Sequence, residues 1–260
     1  MDTSWEKAAD WYDRLLAGEG TYQKELILPN MLRLMNIRRG DAVLDLACGQ
    51  GFFSKEFAKK GARVIGVDTS PALIDRARRP APGASAPPDP AALIFYVTHG
   101  DSLPFLKNES IDKIAIVLAL QNMEHIAGVF RECARVIARN GSLHVVINHP
   151  AFRIPQGSSW GWDEKEKMQY RRIDRYLSES KVKIQTHPGD RPEDYTWSFH
   201  RPLQFYVKAL HKAGFAVRAL EEWNSHKKSE RGPRSKAEDK ARKEIPLFLY
   251  FEAVQERILL

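Results

Sequence analysis

The chain has 260 residues, 43% of them hydrophobic and 28% charged. That suits one large globular α/β domain and excludes a low-complexity disordered chain; no apolar run approaches the ~20 residues that span a bilayer. The formal net charge is +7, but residues 225–244 (SHKKSERGPRSKAEDKARKE) carry +4 of it, so the excess is a local charge run that reads as a solvated loop before it reads as an arm for RNA or an acidic partner.

The N-terminus, MDTSWEKAADWYDRLL, is charged and aromatic and has no apolar signal-peptide core. Cys48 and Cys133 are too few for a disulfide framework, and no Cys/His cluster has zinc-site spacing. These features predict free thiols, no bound metal, and a reducing, cytoplasmic location without a membrane.

Residues 4–18 place Trp5, Ala8, Ala9, Tyr12, Leu15 and Leu16 on one helical face, and Gly18 and Gly20 end that helix. A second helix is expected over 21–35, burying Leu26, Met31, Leu34 and Met35. After the turn Arg39-Gly40-Asp41 a strand covers 42–46, and a Gly-rich turn leads into a helix over 54–60 that Gly61 caps. A second strand, 63–67, ends at Asp68, and Ser70-Pro71 starts the next helix as N-cap and first residue. Residues 80–90 are proline-rich and read as a surface loop.

A third strand is expected over 93–98, before the turn Gly100-Asp101-Ser102. The apolar run 111–120 reads as a central strand buried on both faces. A helix over 123–139 follows, closed by Asn140-Gly141, and then a fifth strand over 143–148. Farther on, 201–215 reads as a helix with a Gly cap leading into a strand, and 245–251 as a final strand. Strands alternating with helices imply a mostly parallel sheet whose ligand sits beyond the carboxyl ends of the strands.

Those strand ends carry the chemistry. The first reads Asp45-Leu46-Ala47-Cys48-Gly49-Gln50-Gly51, with small residues at alternate positions. Taken alone, the turn is also compatible with a plain structural turn or a dinucleotide site. The dinucleotide fingerprint needs a third glycine that this chain lacks, and Asp45 before the turn would repel a pyrophosphate. The next two strand ends carry Asp68 and Asp101, each of which alone reads as a cap or turn residue. Three carboxylates at three successive strand ends, behind one Gly-rich turn, form a pattern.

With its D-x-A-x-G-x-G turn and this order of segments, the chain resembles the class I S-adenosylmethionine-dependent methyltransferases across residues 41–149. The resemblance implies a Rossmann-like α/β fold: a seven-stranded, mostly parallel sheet with an antiparallel last strand and helices on both faces. It implies S-adenosylmethionine as cofactor. By position, Asp45, Ala47, Gly49 and Gly51 would line the methionine moiety, Asp68 the ribose hydroxyls, Thr69 the adenosine, and Asp101 and Ser102 the adenine. Leu118 and Gln121 would lie near the sulfonium and the acceptor. The segment from Arg201-Pro202-Leu203 to Gly214-Phe215, with Pro246-Leu247-Phe248-Leu249 later, resembles methyltransferases of small molecules.

The expected organisation is an N-terminal helical cap (1–40), a cofactor-binding core (41–149 and 201–260) and a substrate-covering insertion after the fifth strand (150–200). In that insertion Trp160 and Trp162 would form an aromatic wall, and Arg153, Arg171 and Arg172 would hold an anionic group; the competing reading packs the tryptophans into the insertion's own core and solvates the arginines. His149 and His125, both near strand ends, are the candidate bases. After the fourth strand the chain reads Gln121-Asn122-Met123-Glu124, so the tetrapeptide of amino-methylating nucleic-acid enzymes is absent there. A small-molecule acceptor is the expectation. The alternatives are an RNA or protein methyltransferase that docks through 225–244, and a non-catalytic cofactor-binding subunit. No feature sets an oligomeric state.

Overall fold

A computed structural model describes residues 18–79, 92–185 and 195–256. The expected first helix, apart from Gly18, and the proline-rich loop 80–90 lie outside the described residues.

Seven strands build one sheet: β1 (Ala42–Leu46), β2 (Arg63–Asp68), β3 (Leu93–Val97), β4 (Ile111–Val117), β5 (Ile137–Asn148), β10 (Phe215–Trp223) and β11 (Phe248–Gln255). Their spatial order is β10-β11-β5-β4-β1-β2-β3. Neighbours from β5 to β3 run parallel, whereas β11 is antiparallel to both β5 and β10. This is the expected mostly parallel sheet with a reversed last strand. Its middle strands are apolar because both of their faces are covered: Leu44, Ile114, Ile116 and Val145 have no exposed surface.

One face carries α1 (Leu28–Met35) and α2 (Phe52–Lys59), which bury Met31, Met35, Phe53 and Phe57. The other carries α4 (Ile126–Val136) and α5 (Leu203–Lys212), which bury Phe130, Cys133, Tyr206 and Leu210. Each fully buried large apolar side chain contributes about 1.5–3 kcal/mol. The short α3 (Pro71–Ala77) starts as expected: the Leu73 N–H donates to Ser70 Oγ at 3.3 Å, with Pro71 at the first position.

Three local expectations change. A π-type turn, Gln23–Ile27, precedes α1 and rephases its apolar stripe, so Ile27 enters the core while Leu26 and Leu34 stay half-buried. The helix expected over 123–139 ends at Val136, not at Asn140-Gly141. Ile137 is already extended, fully buried and paired with Ile111 of β4, so sheet pairing there outweighs the glycine cap signal. Residues 225–244 are not all loop, because Ser235–Glu244 forms α6. That segment has no large apolar residue; Lys, Glu, Arg and Ala favour the helix, and the buried Ala241 seats it on the protein.

The insertion holds two antiparallel hairpins outside the main sheet: β6 (Ser158–Asp163) with β7 (Met168–Ile173), and β8 (Ser180–Gln185) with β9 (Tyr195–His200).

Candidate active site

The Gly-rich turn follows β1 in an alternating left-handed path: Ala47, Gly49 and Gly51 have φ of 59°, 56° and 75°. At Gly51 a second constraint applies, since a Cβ there would lie 2.7 Å from the Phe95 ring. The close neighbour that demands glycine at 51 is thus β3's own phenylalanine. The turn is pinned from outside: the Cys48 N–H donates to Val67 O at 2.9 Å, and the Gly49 N–H to Asp68 Oδ2 at 2.9 Å.

Asp45 does not open onto solvent. It is 2% exposed and accepts the Ser54 hydroxyl of α2 at 2.5 Å. Burial raises its pKa to about 7, with the nearby Asp68 carboxylate adding to the rise. Asp45 therefore ties the strand end to the first turn of α2.

Asp68 ends β2 and accepts two backbone N–H groups, Gly49 on Oδ2 and Ser70 on Oδ1, each at 2.9 Å. Burial pushes its pKa up, and these N–H donors oppose the rise. A carboxylate offers about four lone-pair sites, so capacity remains for a ligand's hydroxyls. Thr69 beside it is half-buried. Asp101 and Ser102 are exposed after β3, in a turn where the Ser102 N–H donates to His99 O at 3.2 Å. The Thr98 N–H donates to Asp68 O at 2.9 Å, which sets the β3 end beside the β2 end.

At the end of β4, Leu118 has φ 54°, a left-handed conformation costing a bulky residue about 1–3 kcal/mol. Its N–H donates to Val146 O at 2.7 Å and its carbonyl accepts Gln121 Nε2 at 2.7 Å. Gln121 Oε1 is buried and has no hydrogen-bond partner among the described residues, and the same holds for Gln50 Oε1 inside the Gly-rich turn. Two orphaned amide oxygens at neighbouring strand ends fit a polar ligand there.

His149 ends β5 but is 5% exposed, with Nε2 2.6 Å from Glu222 Oε1 and Nδ1 accepting the Ala151 N–H at 3.2 Å. That pairing puts the proton on Nε2 and leaves neither nitrogen open; burial lowers its pKa, opposed by Glu222. His125 is exposed just ahead of α4, and no hydrogen-bond partner for its ring lies among the described residues.

The insertion divides the expected substrate residues. Arg153, Trp160 and Arg171 line one cavity of about 260 Å³ together with Tyr22, Phe152 and Arg242. Trp162 instead lies under the Arg234 guanidinium, 4.6 Å from its ring, and Arg172 is exposed and paired with Asp174 at 3.0 Å. Sequence reasoning missed Glu222, Arg242 and the buried Arg201. The Arg201 guanidinium donates to the carbonyls of Leu120, Met123 and Glu124 at 3.3, 2.8 and 2.7 Å, fixing the loop after β4. The segment beginning Arg201-Pro202-Leu203 stands out by its resemblance, but an arginine beside a helix start reads as solvated, so no role is assigned to it from sequence.

Comparison with known proteins agrees with this geometry. Residues 44–145 match the family described as "Methyltransferase domain". A crystal structure of an S-adenosylmethionine-dependent methyltransferase from Mesorhizobium loti superposes with a TM-score of 0.66 at 26% identity, covering 86% of this chain and 95% of that one. The chain carries a methyltransferase-domain match over residues 44–145 and has the fold of the class I S-adenosylmethionine-dependent methyltransferases. Among curated relatives of the chain, a demethylmenaquinone methyltransferase of Tropheryma whipplei is 32% identical over 119 residues, 45% of this chain and 46% of that protein. A ubiquinone biosynthesis O-methyltransferase of Actinobacillus pleuropneumoniae is 26% identical over 155 residues, 55% of this chain and 61% of that protein. The chain thus spans about half the length of the curated relatives it matches.

Proposed function

We propose that the chain transfers a methyl group from S-adenosylmethionine to a small-molecule acceptor. The observation that carries the reading is Asp68. Its carboxylate joins the Gly-rich turn to the second strand end, in the same row of strand ends that carries the orphaned amide oxygens of Gln50 and Gln121. In this reading Asp68 holds the ribose hydroxyls, Thr69, Asp101 and Ser102 the adenosine, and the turn 47–51 the methionine portion, with Asp45 setting the turn. Leu118 and Gln121 face the reacting centre.

When bound, the sulfonium supplies an already activated methyl group. The protein's own part is then alignment and exclusion of water. Arg201 holds the loop 120–124 in one shape, and the strained Leu118 aims Gln121. An acceptor that must lose a proton needs a base. Between the two histidines, His125 has the accessible ring, and His149 serves to position the β5 end against β10.

Two observations support a small acceptor over RNA. Both curated relatives described above are named for quinone methylation. The basic segment also folds back onto the protein: Arg234 pairs with Glu164 at 2.8 Å, and Asn224 Nδ2 donates to Lys243 O at 2.9 Å. Calorimetric titration with S-adenosylhomocysteine tests the cofactor, and a methyl-donor assay on metabolite extracts, with products identified by mass, tests the acceptor. Absence of S-adenosylhomocysteine binding by folded protein would sink the proposal. Steeply salt-dependent RNA binding lost on deleting 225–244 would replace its second half.

A further inference from the structure

The cavity of about 260 Å³ has an unusual wall. Three arginines line it, Arg153 from the start of the insertion, Arg171 from β7 and Arg242 from α6, and among the described residues no Asp or Glu does. Among the described residues none of the three has a carboxylate within ion-pair distance. Arg171 is held ready: its Nε donates to Phe152 O at 2.8 Å and its Nη2 to Ser158 Oγ at 2.7 Å. Arg242 Nε donates to Ser229 Oγ at 3.2 Å. The Arg153 guanidinium lies over the Phe248 ring, 5.2 Å from its centroid, and burial and the nearby Arg171 both push its pKa down. Asp239, one turn away on α6, offsets Arg242 in part, but gathering three guanidinium groups in a half-buried wall still costs free energy, and an oxyanion is the partner that would recover it.

Three aromatic side chains, Tyr22, Phe152 and Trp160, supply flat surface in the lining, and Ser225 with Ile245, Pro246 and Leu247 completes it. The cavity opens at the carboxyl edge of the sheet, since Leu247, also in its lining, accepts the His149 N–H at 2.8 Å and Phe152 packs on the His149 ring at 4.7 Å. We propose that this cavity binds the anionic group of the methyl acceptor, a one- or two-ring aromatic molecule bearing a carboxylate or a phosphate. The identification of the bound molecule as the acceptor rests on the methyltransferase reading; the anion site itself does not.

The test is calorimetry on the full chain with 4-hydroxybenzoate, phenyl phosphate and the neutral 4-hydroxybenzamide, with S-adenosylhomocysteine titrated separately. Binding of at least one anion, roughly tenfold or more tighter than the amide, is expected, and the tighter of the two names the oxyanion. Arg153→Gln and Arg242→Gln should each weaken that anion by about tenfold while S-adenosylhomocysteine affinity stays the same. If Arg153→Gln fails to fold, Arg242→Gln on the surface helix decides. No preference for anions over the amide, or a preference that survives both substitutions, overturns the proposal. Failure of wild-type protein to bind S-adenosylhomocysteine would instead overturn the methyltransferase reading, leaving the aryl-anion result to stand or fall alone.

Discussion

Asp68 accepts the Gly49 N–H at 2.9 Å, so the acid that ends the second strand also fixes the middle of the turn that ends the first. The two signals that sequence reasoning treats as separate contacts to one cofactor are one hydrogen-bonded unit. Asp68→Asn keeps an acceptor for Gly49 but removes the charge. S-adenosylhomocysteine affinity is expected to fall about tenfold or more, the loss of one charge-assisted hydrogen bond, with thermal unfolding little changed. Calorimetry beside a melting curve checks both, and unchanged affinity would remove Asp68 from the site.

Asp45 makes stability depend on pH. Its folded pKa, about 7, lies above its unfolded value near 3.9. A group shifted this way stabilises fully below the unfolded pKa and loses that contribution as pH rises through the folded one. Wild-type stability should therefore decline between about pH 4 and pH 7, by up to about 4 kcal/mol from this group. Asp45→Asn keeps an acceptor for the Ser54 hydroxyl and cannot ionise. Urea unfolding from pH 5 to pH 8 should show the decline in wild type and a flatter profile in the variant; equal slopes would refute the assignment.

His144 slopes the other way. It is fully buried between Ser142 Oγ at 2.7 Å and Tyr250 Oη at 2.8 Å, and burial lowers its pKa to about 3. Its contribution is complete above about pH 6.5 and is lost as pH falls toward 3. With Asp45→Asn in place the opposing slope of Asp45 is gone, and adding His144→Gln should flatten the decline seen in urea unfolding from pH 6.5 down to pH 4. An unchanged slope after His144→Gln would assign the acid loss elsewhere.

The alternation of strands and helices and the three strand-end acids were legible because local signals agree with the global arrangement: a Gly-rich turn behind Asp45, and the Ser70-Pro71 start behind Asp68. What escaped was settled by tertiary contacts. Ile137 reads as the last turn of a helix until its pairing with Ile111 draws it into β5. Arg242 reads as one charge in a solvated run, yet α6 sets it in the cavity beside Arg153, whose position in sequence is 89 residues away. Arg201 opens a segment that the sequence singles out by resemblance, but only the fold shows three carbonyls converging on it.

Those carbonyls make Arg201 a positioning residue for the loop that carries Gln121. Arg201→Leu strips donors from Leu120, Met123 and Glu124 and should cost about 2–4 kcal/mol in urea unfolding. Arg201→Lys keeps the charge without the planar fork and should recover part of the loss. Equal damage from both would show that geometry, not charge, is what the loop needs, and no damage from Leu would dismiss the role.

Glu222 is the remaining support of the β5 end. It holds the Nε2–H of His149 and is the one influence raising that imidazole's pKa against burial. Glu222→Gln keeps an acceptor but removes the charge, so the His149 pKa should drop further. A histidine whose folded pKa is depressed loses its stabilising contribution as pH falls from about 6.5 toward the folded value. The variant should therefore lose more stability than wild type between pH 7 and pH 5, by about 0.2–1 kcal/mol because Glu222 is half exposed. An NMR titration of the His149 ring protons gives the direct reading: a lower pKa in the variant supports the pair, and an unchanged one assigns the 2.6 Å contact no electrostatic weight.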